Sequence, residues 1–135
     1  NYSVILFDVD YFKSYNDHYG HSAGDEALRQ ISKQLKSVTR GTDRLYRYGG
    51  EEILLLLPGA NNQQTQGSAQ RQIQHIADLN LIHEKSAFNK ITLSAGVGYI
   101  APQKLNQKKW QDVVAEADKY LYEAKQAGRN QIKGA

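Results

Sequence analysis

The chain has 135 residues, of which 40% are hydrophobic and 23% charged, and its formal net charge is +3. These values fit one folded domain and exclude disordered and membrane-spanning chains. Because the chain has no cysteine, disulfide bonds and thiolate metal sites are excluded, and only oxygen or imidazole ligands can hold a metal.

The chain also lacks methionine and a signal-peptide pattern. We expect residues 1–135 to be a single cytoplasmic domain cut from a longer chain. This expectation allows the longer parent protein to carry a membrane anchor. Lysines and arginines are scattered among acidic residues, which favours a small polyanion as ligand and does not indicate nucleic-acid binding. His75 and His83 stand between polar neighbours and are predicted to lie on the surface.

The first predicted elements are a short buried strand and a helix. An apolar run predicts the strand over 3–7, directly before a group of acidic residues. The helix is predicted over 11–19, with Asp10 as its N-cap and Gly20 as its C-terminal stop.

A second helix and a hairpin follow. Ser22 and Asp25 have the spacing of a capping box, and apolar residues then recur at helical spacing, which predicts a helix over 22–39. Two apolar stretches separated by a glycine pair predict a hairpin with strands over 45–48 and 53–57.

The second half alternates between helices and strands. Residues 61–67 are predicted to be a polar connection, and the following helix to extend to about residue 79. A strand is predicted over 91–100, where two glycines indicate a bend or a close backbone approach. A helix over 110–127 and a short strand over 131–133 complete the pattern. This order predicts an α/β or α+β fold with a mixed sheet faced by helices.

The acidic residues Asp8, Asp10, Glu51 and Glu52 are the first candidates for chemistry, because they lie at a strand end and at the hairpin turn. Two carboxylates about 4 Å apart repel each other by roughly 4 kcal/mol at an effective dielectric of 20, so a pair such as Asp8 and Glu51 would require a cation. With oxygen ligands alone, Mg²⁺ or Mn²⁺ is expected. The alternative is that Asp10 only caps a helix and that the two glutamates are solvated turn residues.

Three cations are candidates for phosphate binding. Lys13 stands in the first turn of a predicted helix, where exposed backbone amides suit phosphate oxygens. Lys125 and Arg129 are four residues apart around a glycine and can reach in the same direction. Taken singly, each is equally explained as a surface charge or as a cation near a helix C-terminus.

Four motifs occur together in this chain. They are Phe7-Asp8-Val9-Asp10-Tyr11-Phe12-Lys13 with Asn16 and Asp17; Gly20, His21, Gly24 and Asp25; Arg47-Tyr48-Gly49-Gly50-Glu51-Glu52; and Ala117-Asp118, Ala124-Lys125 and Gly128-Arg129-Asn130. In order and spacing they resemble the GGDEF family of diguanylate cyclases over almost the whole chain. Two differences are Ile53, where the family usually has Phe, and the absence of the family's N-terminal Leu-Thr-Gly-Leu and Asn-Arg segment.

The resemblance implies a mixed, mostly antiparallel five-stranded sheet surrounded by helices, as in nucleotidyl cyclases and polymerase palm domains. It implies that two GTP molecules condense into cyclic di-GMP and two pyrophosphates, by metal-assisted attack of each 3′-hydroxyl on the other α-phosphate. The metal ligands would be Asp8, the Val9 carbonyl and Glu51. Glu51 would also accept a proton, and Glu52 would complete the acidic cluster.

The resemblance also assigns ligand contacts. Guanine would be bound by Asn16, His21 and Asp25, and the phosphates by the Phe12 region, Lys13, Lys125 and Arg129. The Arg-x-x-Asp pair of Arg40 and Asp43, assisted by Arg71, would bind the product and inhibit the enzyme.

Because each domain would hold one GTP, two copies must face each other in a homodimer, and a sensor domain is expected on the N-terminal side. The alternatives are a non-catalytic receptor for GTP or cyclic di-GMP, and a phosphate-binding structural domain without nucleotide specificity.

Overall fold

The computed structural model describes all 135 residues and confirms the mixed α+β fold. The five strands are β1 (Tyr2–Val9), β2 (Arg44–Arg47), β3 (Glu52–Pro58), β4 (Leu93–Ile100) and β5 (Ile132–Lys133). The helices are α1 (Phe12–Tyr19), α2 (His21–Ser37), α3 (Asn62–Asp78) and α4 (Trp110–Gln126), and a short 3-10 helix spans Pro102–Lys104. None of these helices has the length and apolarity needed to cross a membrane.

The strands form one sheet in the order β2-β3-β1-β4-β5. The central strand β1 is antiparallel to both β3 and β4, and β2 and β3 form the predicted hairpin. Only the short β5 is parallel to its neighbour, β4. The sheet is therefore mixed and mostly antiparallel, as the resemblance implied.

Alternate residues of β1 face different helices, because successive side chains of a strand point to opposite faces. Ile5 and Phe7 are fully buried in the larger core, against α2 and α3. Val4 and Leu6 pack with residues of α4 on the other face. The same alternation places Asp8 on the α4 face of the sheet, at the end of the strand.

Two glycines of β4 let α4 approach the sheet closely. A Cβ atom at Gly96 would lie 1.9 Å from the carbonyl oxygen of Ala117, and one at Gly98 would lie 2.1 Å from the carbonyl oxygen of Val113. Both neighbours are backbone atoms of a packed helix, which have little freedom to move. The predicted close backbone approach at these glycines is thus confirmed.

Two helix starts differ from the prediction. Helix α2 begins at His21 after Gly20, without any side-chain cap, so the predicted capping box at Ser22 is wrong. Helix α3 begins at Asn62, within the stretch predicted to be a connection. Its capping box is formed by Asn61 and Gln64, whose side chains and backbone N–H groups pair reciprocally. The glutamine-rich stretch is therefore the solvated first turn of a helix.

The prediction of a surface position for His83 is also wrong, since its side chain is completely buried. His75 is only partly buried and pairs through a ring nitrogen with the side-chain amide oxygen of Gln34 at 3.0 Å. The polar neighbours of His83 in sequence do not indicate its burial, because the side chains that cover it come from α1.

Candidate active site

Acidic side chains converge where β1 ends and where the β2–β3 hairpin turns. Asp8 lies opposite Glu52 in the antiparallel register, so that the two side chains share one face. Glu51 precedes β3 and belongs to the turn, and its carbonyl oxygen accepts a hydrogen bond from the Val9 N–H at 3.3 Å. Since Glu51 is not part of the strand, the alternation rule does not force it to the opposite face, and both glutamates lie near Asp8.

Asp8 is buried, with only 4% of its surface exposed. One of its carboxylate oxygens, Oδ2, forms an ion pair with the ammonium group of Lys125, which lies near the end of α4. The other oxygen, Oδ1, is buried and has no hydrogen-bond partner. An unpaired buried carboxylate oxygen is costly, and it marks a position where a cation would be stabilised.

The electrostatics of the three acids favour the same interpretation. Burial raises the pKa of Asp8 above its usual value, although Lys125 opposes this shift. Burial, followed by the charge of Asp8, also raises the pKa values of Glu51 and Glu52, and Lys125 again acts in the opposite direction. Three carboxyl groups thus oppose one another's ionisation, and the Lys125 ammonium compensates only in part.

The donor set fits a divalent cation. No three of the His, Asp and Glu side chains converge as a metal-binding group. The predicted ligand set, however, requires only two carboxylates, Asp8 and Glu51, together with the carbonyl oxygen of Val9. All three supply the hard oxygen atoms that Mg²⁺ and Mn²⁺ prefer, and Oδ1 of Asp8 lacks any other partner.

Asp10 does not cap α1, which corrects the sequence prediction. The N-cap of that helix is Tyr11, which makes no side-chain cap hydrogen bond. Asp10 is instead 3% exposed and accepts hydrogen bonds from the hydroxyl groups of Thr92 and Ser94, at 2.7 and 2.6 Å, and from the backbone N–H of Asn130 at 3.0 Å. This carboxylate therefore joins the end of β1 to β4 and to the loop that follows α4.

The loop after α4 has an unusual backbone. Three consecutive residues, Gly128, Arg129 and Asn130, have φ angles of 119°, 65° and 50°, and each left-handed non-glycine residue costs roughly 1–2 kcal/mol. The hydrogen bond from Asn130 to Asp10 fixes this loop. The guanidinium carbon of Arg129 consequently lies 5.0 Å from the centre of the Tyr11 ring, in cation–π contact beside the start of α1.

Two of the three predicted phosphate-binding cations, Lys125 and Arg129, lie near Asp8. Lys125 contacts Asp8 directly, and the charge of Arg129 is close enough to oppose in part the effect of burial, which raises the pKa of Asp8. Lys13 lies in the first turn of α1 with an exposed side chain. Phe12, the first residue of α1, is buried in the core, so that only its backbone can face a ligand.

The predicted guanine-binding residues lie on α1 and on the first turns of α2. His21 and Asp25 are exposed and one turn apart. The side-chain oxygen of Asn16 is buried and has no hydrogen-bond partner. It fits there only because residue 24 is glycine, since a Cβ atom at Gly24 would lie 1.7 Å from it. An amide with unused hydrogen-bonding capacity suits recognition of a polar ligand edge.

Arg40 and Asp43 form the expected pair away from the acidic cluster. The Arg40 guanidinium donates to Oδ1 of Asp43 at 3.1 and 2.9 Å and to the carbonyl oxygen of Pro58 at 3.1 Å. The Asp43 side chain is almost completely buried, whereas half of the Arg40 side chain is exposed. Arg71 of α3 lines the same cavity as Arg40, with a volume of about 440 Å³. Arg40 thus pairs with Asp43 and shares a cavity with Arg71, whereas Asp43 does not line that cavity.

The sheet order, together with the turn between β2 and β3 that contains Gly49, Gly50 and Glu51 and leads into Glu52, defines a GGDEF-type α+β domain. Residues 1–131 match the family described as diguanylate cyclase, GGDEF domain, and the chain belongs to this family. It is 35% identical over 130 residues to diguanylate cyclase A of Treponema denticola, a match that covers 96% of this chain and 34% of that protein. The chain spans between 34% and 42% of the length of the curated relatives that it matches.

Solved structures agree with this assignment. The active GGEEF domain of a diguanylate cyclase from Vibrio cholerae is similar with a TM-score of 0.86 at 30% identity, over 98% of this chain and 81% of that one. The GGDEF domain of DgcB from Caulobacter crescentus, in complex with c-di-GMP, is similar with a TM-score of 0.85 at 25% identity, over 98% of this chain and 77% of that one.

Proposed function

We propose that this domain condenses two molecules of GTP into cyclic di-GMP and releases two pyrophosphates. The observation that carries the proposal is the buried carboxylate of Asp8. One of its oxygens has no partner and the other pairs with Lys125, and its charge helps burial to raise the pKa values of Glu51 and Glu52. Membership of the GGDEF family and the similarity to diguanylate cyclases support the same activity.

In the proposed reaction, each 3′-oxygen forms a bond to the α-phosphorus of the other GTP. The bond between that phosphorus and the oxygen bridging to the β-phosphate breaks, so that pyrophosphate leaves, and each 3′-hydroxyl loses its proton. Glu51 accepts this proton, the role that the resemblance to the GGDEF family assigns to it. Glu52 adds negative charge to the cluster that binds the cation.

The proposed cofactor is Mg²⁺ or Mn²⁺, held by Asp8, the Val9 carbonyl and Glu51. When bound, the ion supplies charge that favours deprotonation of the 3′-hydroxyl and offsets the charge of the phosphates. The other phosphate contacts come from the chain itself. Lys13, Lys125 and Arg129 bind the β- and γ-phosphates together with the backbone N–H groups at the start of α1.

Guanine is selected in this proposal by Asn16, His21 and Asp25. A carboxylate such as Asp25 only accepts hydrogen bonds, and guanine offers two adjacent N–H donors that adenine lacks. A mismatched base leaves a polar group unpaired at a cost of about 1–3 kcal/mol, so GTP is bound in preference to ATP.

The two GTP molecules are bound by two copies of the domain that face each other across a two-fold axis. The symmetry of the product supports this homodimer, since each 3′-oxygen must reach the α-phosphorus of the other nucleotide. We further propose that the domain is one part of a longer cytoplasmic or membrane-anchored protein with a sensor on its N-terminal side. The similarity to longer curated relatives, of which this chain spans 34% to 42%, supports only the part of the proposal that concerns length.

Product inhibition through Arg40, Asp43 and Arg71 is a further part of the proposal. A guanidinium pair suits the phosphates or the guanine of cyclic di-GMP. Replacing Arg40 would also remove hydrogen bonds from the buried Asp43 and disturb the fold. Calorimetry with Arg71→Ala is therefore the cleaner test, because Arg71 supports no such buried group. A cyclic di-GMP affinity equal to that of the wild type would refute the role of Arg71.

The catalytic proposal is tested by incubating the protein with GTP and Mg²⁺ and separating the nucleotides by chromatography. The wild type should produce cyclic di-GMP, Glu51→Gln should produce none, and Glu123→Gln, a change at an exposed position of α4, should behave as the wild type. Binding of GTP without any product from the dimeric wild type would instead identify a receptor.

A further inference from the structure

The imidazole of His83 is completely buried, and neither the metal ligands nor the nucleotide contacts proposed above make use of it. It lies in the segment between α3 and β4. Its Nε2 atom is 2.9 Å from the backbone carbonyl oxygen of Tyr11. Because a carbonyl oxygen can only accept, Nε2 carries the hydrogen and donates it to Tyr11.

The surroundings of His83 fix the direction of this hydrogen bond. The ring of Tyr15 on α1 meets the imidazole edge to face, with centroids 5.0 Å apart, and the ring of Tyr19 lies at 6.3 Å. The backbone of His83 is also held, since its N–H donates to the carbonyl of Asn89 at 3.3 Å and its carbonyl accepts from Ser86 at 3.2 Å. The imidazole is therefore preorganised towards Tyr11.

The hydrogen bond from His83 matters at Tyr11 because the backbone there has an unfavourable conformation. It has φ 56° and ψ 34°, a left-handed conformation that non-glycine residues rarely adopt, and no side chain caps the helix that starts after it. Its carbonyl oxygen accepts two hydrogen bonds, one from the Tyr15 N–H at 3.0 Å within the helix and one from His83. The second bond comes from outside the helix and fixes the orientation of the Tyr11 peptide.

The turn at Tyr11 determines the position of both halves of the nucleotide site. On its C-terminal side it sets the direction of α1, which carries Lys13 and Asn16. Its ring also supports the guanidinium of Arg129 at 5.0 Å. A shift of the turn would therefore move phosphate-binding and guanine-binding groups together, while Arg40 and its cavity would stay in place.

We propose that His83 is a positioning residue for GTP, which acts through its hydrogen bond to the left-handed turn at Tyr11. The proposal rests on the nucleotide site described under the proposed function. It assigns no contact between His83 and the substrate.

The test compares two replacements. In His83→Gln the side-chain amide can still donate a hydrogen bond to Tyr11, whereas His83→Phe retains a ring but has no donor. The Michaelis constant for GTP and kcat are measured with Mg²⁺, and cyclic di-GMP binding at Arg40 is measured as a control for the fold. We expect His83→Phe to raise the KM for GTP about fivefold or more, which corresponds to about 1 kcal/mol, with a smaller change in kcat. The KM of His83→Gln should remain within about twofold of the wild-type value.

An unchanged KM in His83→Phe overturns the proposal, as do equal losses in both variants. Should His83→Phe not fold, His83→Leu removes the donor with a smaller side chain. If neither donor-free variant folds while His83→Gln does, the hydrogen bond serves the fold and the proposal is overturned. If the wild type binds GTP without making product, the proposed function alone fails, and the same comparison is made on GTP affinity by calorimetry.

Discussion

Replacing Gly24 with alanine should weaken GTP binding and leave the fold intact. The new methyl group would lie 1.7 Å from Oδ1 of Asn16, 2.9 Å from its Cγ atom and 3.2 Å from Cζ of Phe12. The two shortest contacts involve one side-chain amide, whose oxygen has no hydrogen-bond partner to lose. Asn16 can therefore rotate away, and this rotation removes it from the position assigned to guanine binding.

The expected magnitudes for stability and for binding differ. Within a helix, alanine is more stable than glycine by roughly 0.5–1 kcal/mol, which offsets the small packing change at Phe12. A lost hydrogen bond to guanine costs about 1–3 kcal/mol. Since about 1.4 kcal/mol corresponds to a factor of ten, the KM for GTP should rise by about 5-fold to about 140-fold.

The assay is the initial rate of cyclic di-GMP formation against GTP concentration, combined with urea unfolding of the same protein. Gly67→Ala is the matched control, because Gly67 is also inside a helix and its Cβ atom would make only an ordinary 3.4 Å contact with Arg71. The control should gain similar stability with an unchanged KM. An unchanged KM in Gly24→Ala would refute the role of Asn16, and a large loss of stability would refute the argument that Asn16 moves freely.

Three further predictions concern the buried acids and the packing of α4. Asp10→Ala leaves three donors without their acceptor, so the free energy of unfolding, measured by urea denaturation, should fall by about 3 kcal/mol or more. Asp17→Ala, at an exposed position, should change it little. Equal effects of the two substitutions would contradict the anchoring role of Asp10. Burial raises the pKa values of Asp8, Glu51 and Glu52 in the folded protein above those in the unfolded chain. The contribution of these groups to stability is therefore fully present below the unfolded-state pKa values, near 4, and is lost as the pH rises through the folded-state pKa values. Asp8→Asn should therefore melt at a higher temperature than the wild type at pH 7 without divalent ions, and Mg²⁺ should raise the melting temperature of the wild type only; a lower melting temperature of the variant would reverse this conclusion. Gly98→Ala places a methyl group 2.1 Å from a backbone carbonyl oxygen of α4, so the free energy of unfolding, measured by urea denaturation, should fall by about 1–3 kcal/mol or more. Gly41→Ala is the control, because a methyl group there meets open space. Similar values for the two variants would argue against the close packing of α4 on β4.

Local patterns in the sequence predicted most of the secondary structure. Apolar runs and helical spacings located the strands and helices, and the glycine pair located the hairpin. The glycines of β4 were informative as well, because a residue without a side chain in a buried strand indicates that another backbone comes close. The resemblance to the GGDEF family added the mostly antiparallel five-stranded sheet, which periodicity alone does not define, and the order of its strands came from the structure.

The roles of Asp10 and His83 were not accessible from local patterns. The partners of Asp10 are 82, 84 and 120 positions away in the chain. The pairing of β1 with β4 brings the first two to Asp10, and the loop after α4 brings the third. An aspartate directly before a helix is typical of an N-cap, which is the interpretation that the structure overturns. His83 is polar in sequence context, and its burial results from tertiary packing of the α1 tyrosines.

The most direct test of the account is the stoichiometry of GTP conversion in Mg²⁺ by the wild type and by Asp8→Asn. The wild type should release two pyrophosphates for each cyclic di-GMP formed, and Asp8→Asn should form neither although it is folded. Wild-type synthesis that continues unchanged in Asp8→Asn, or after chelation of all divalent ions, would contradict the account.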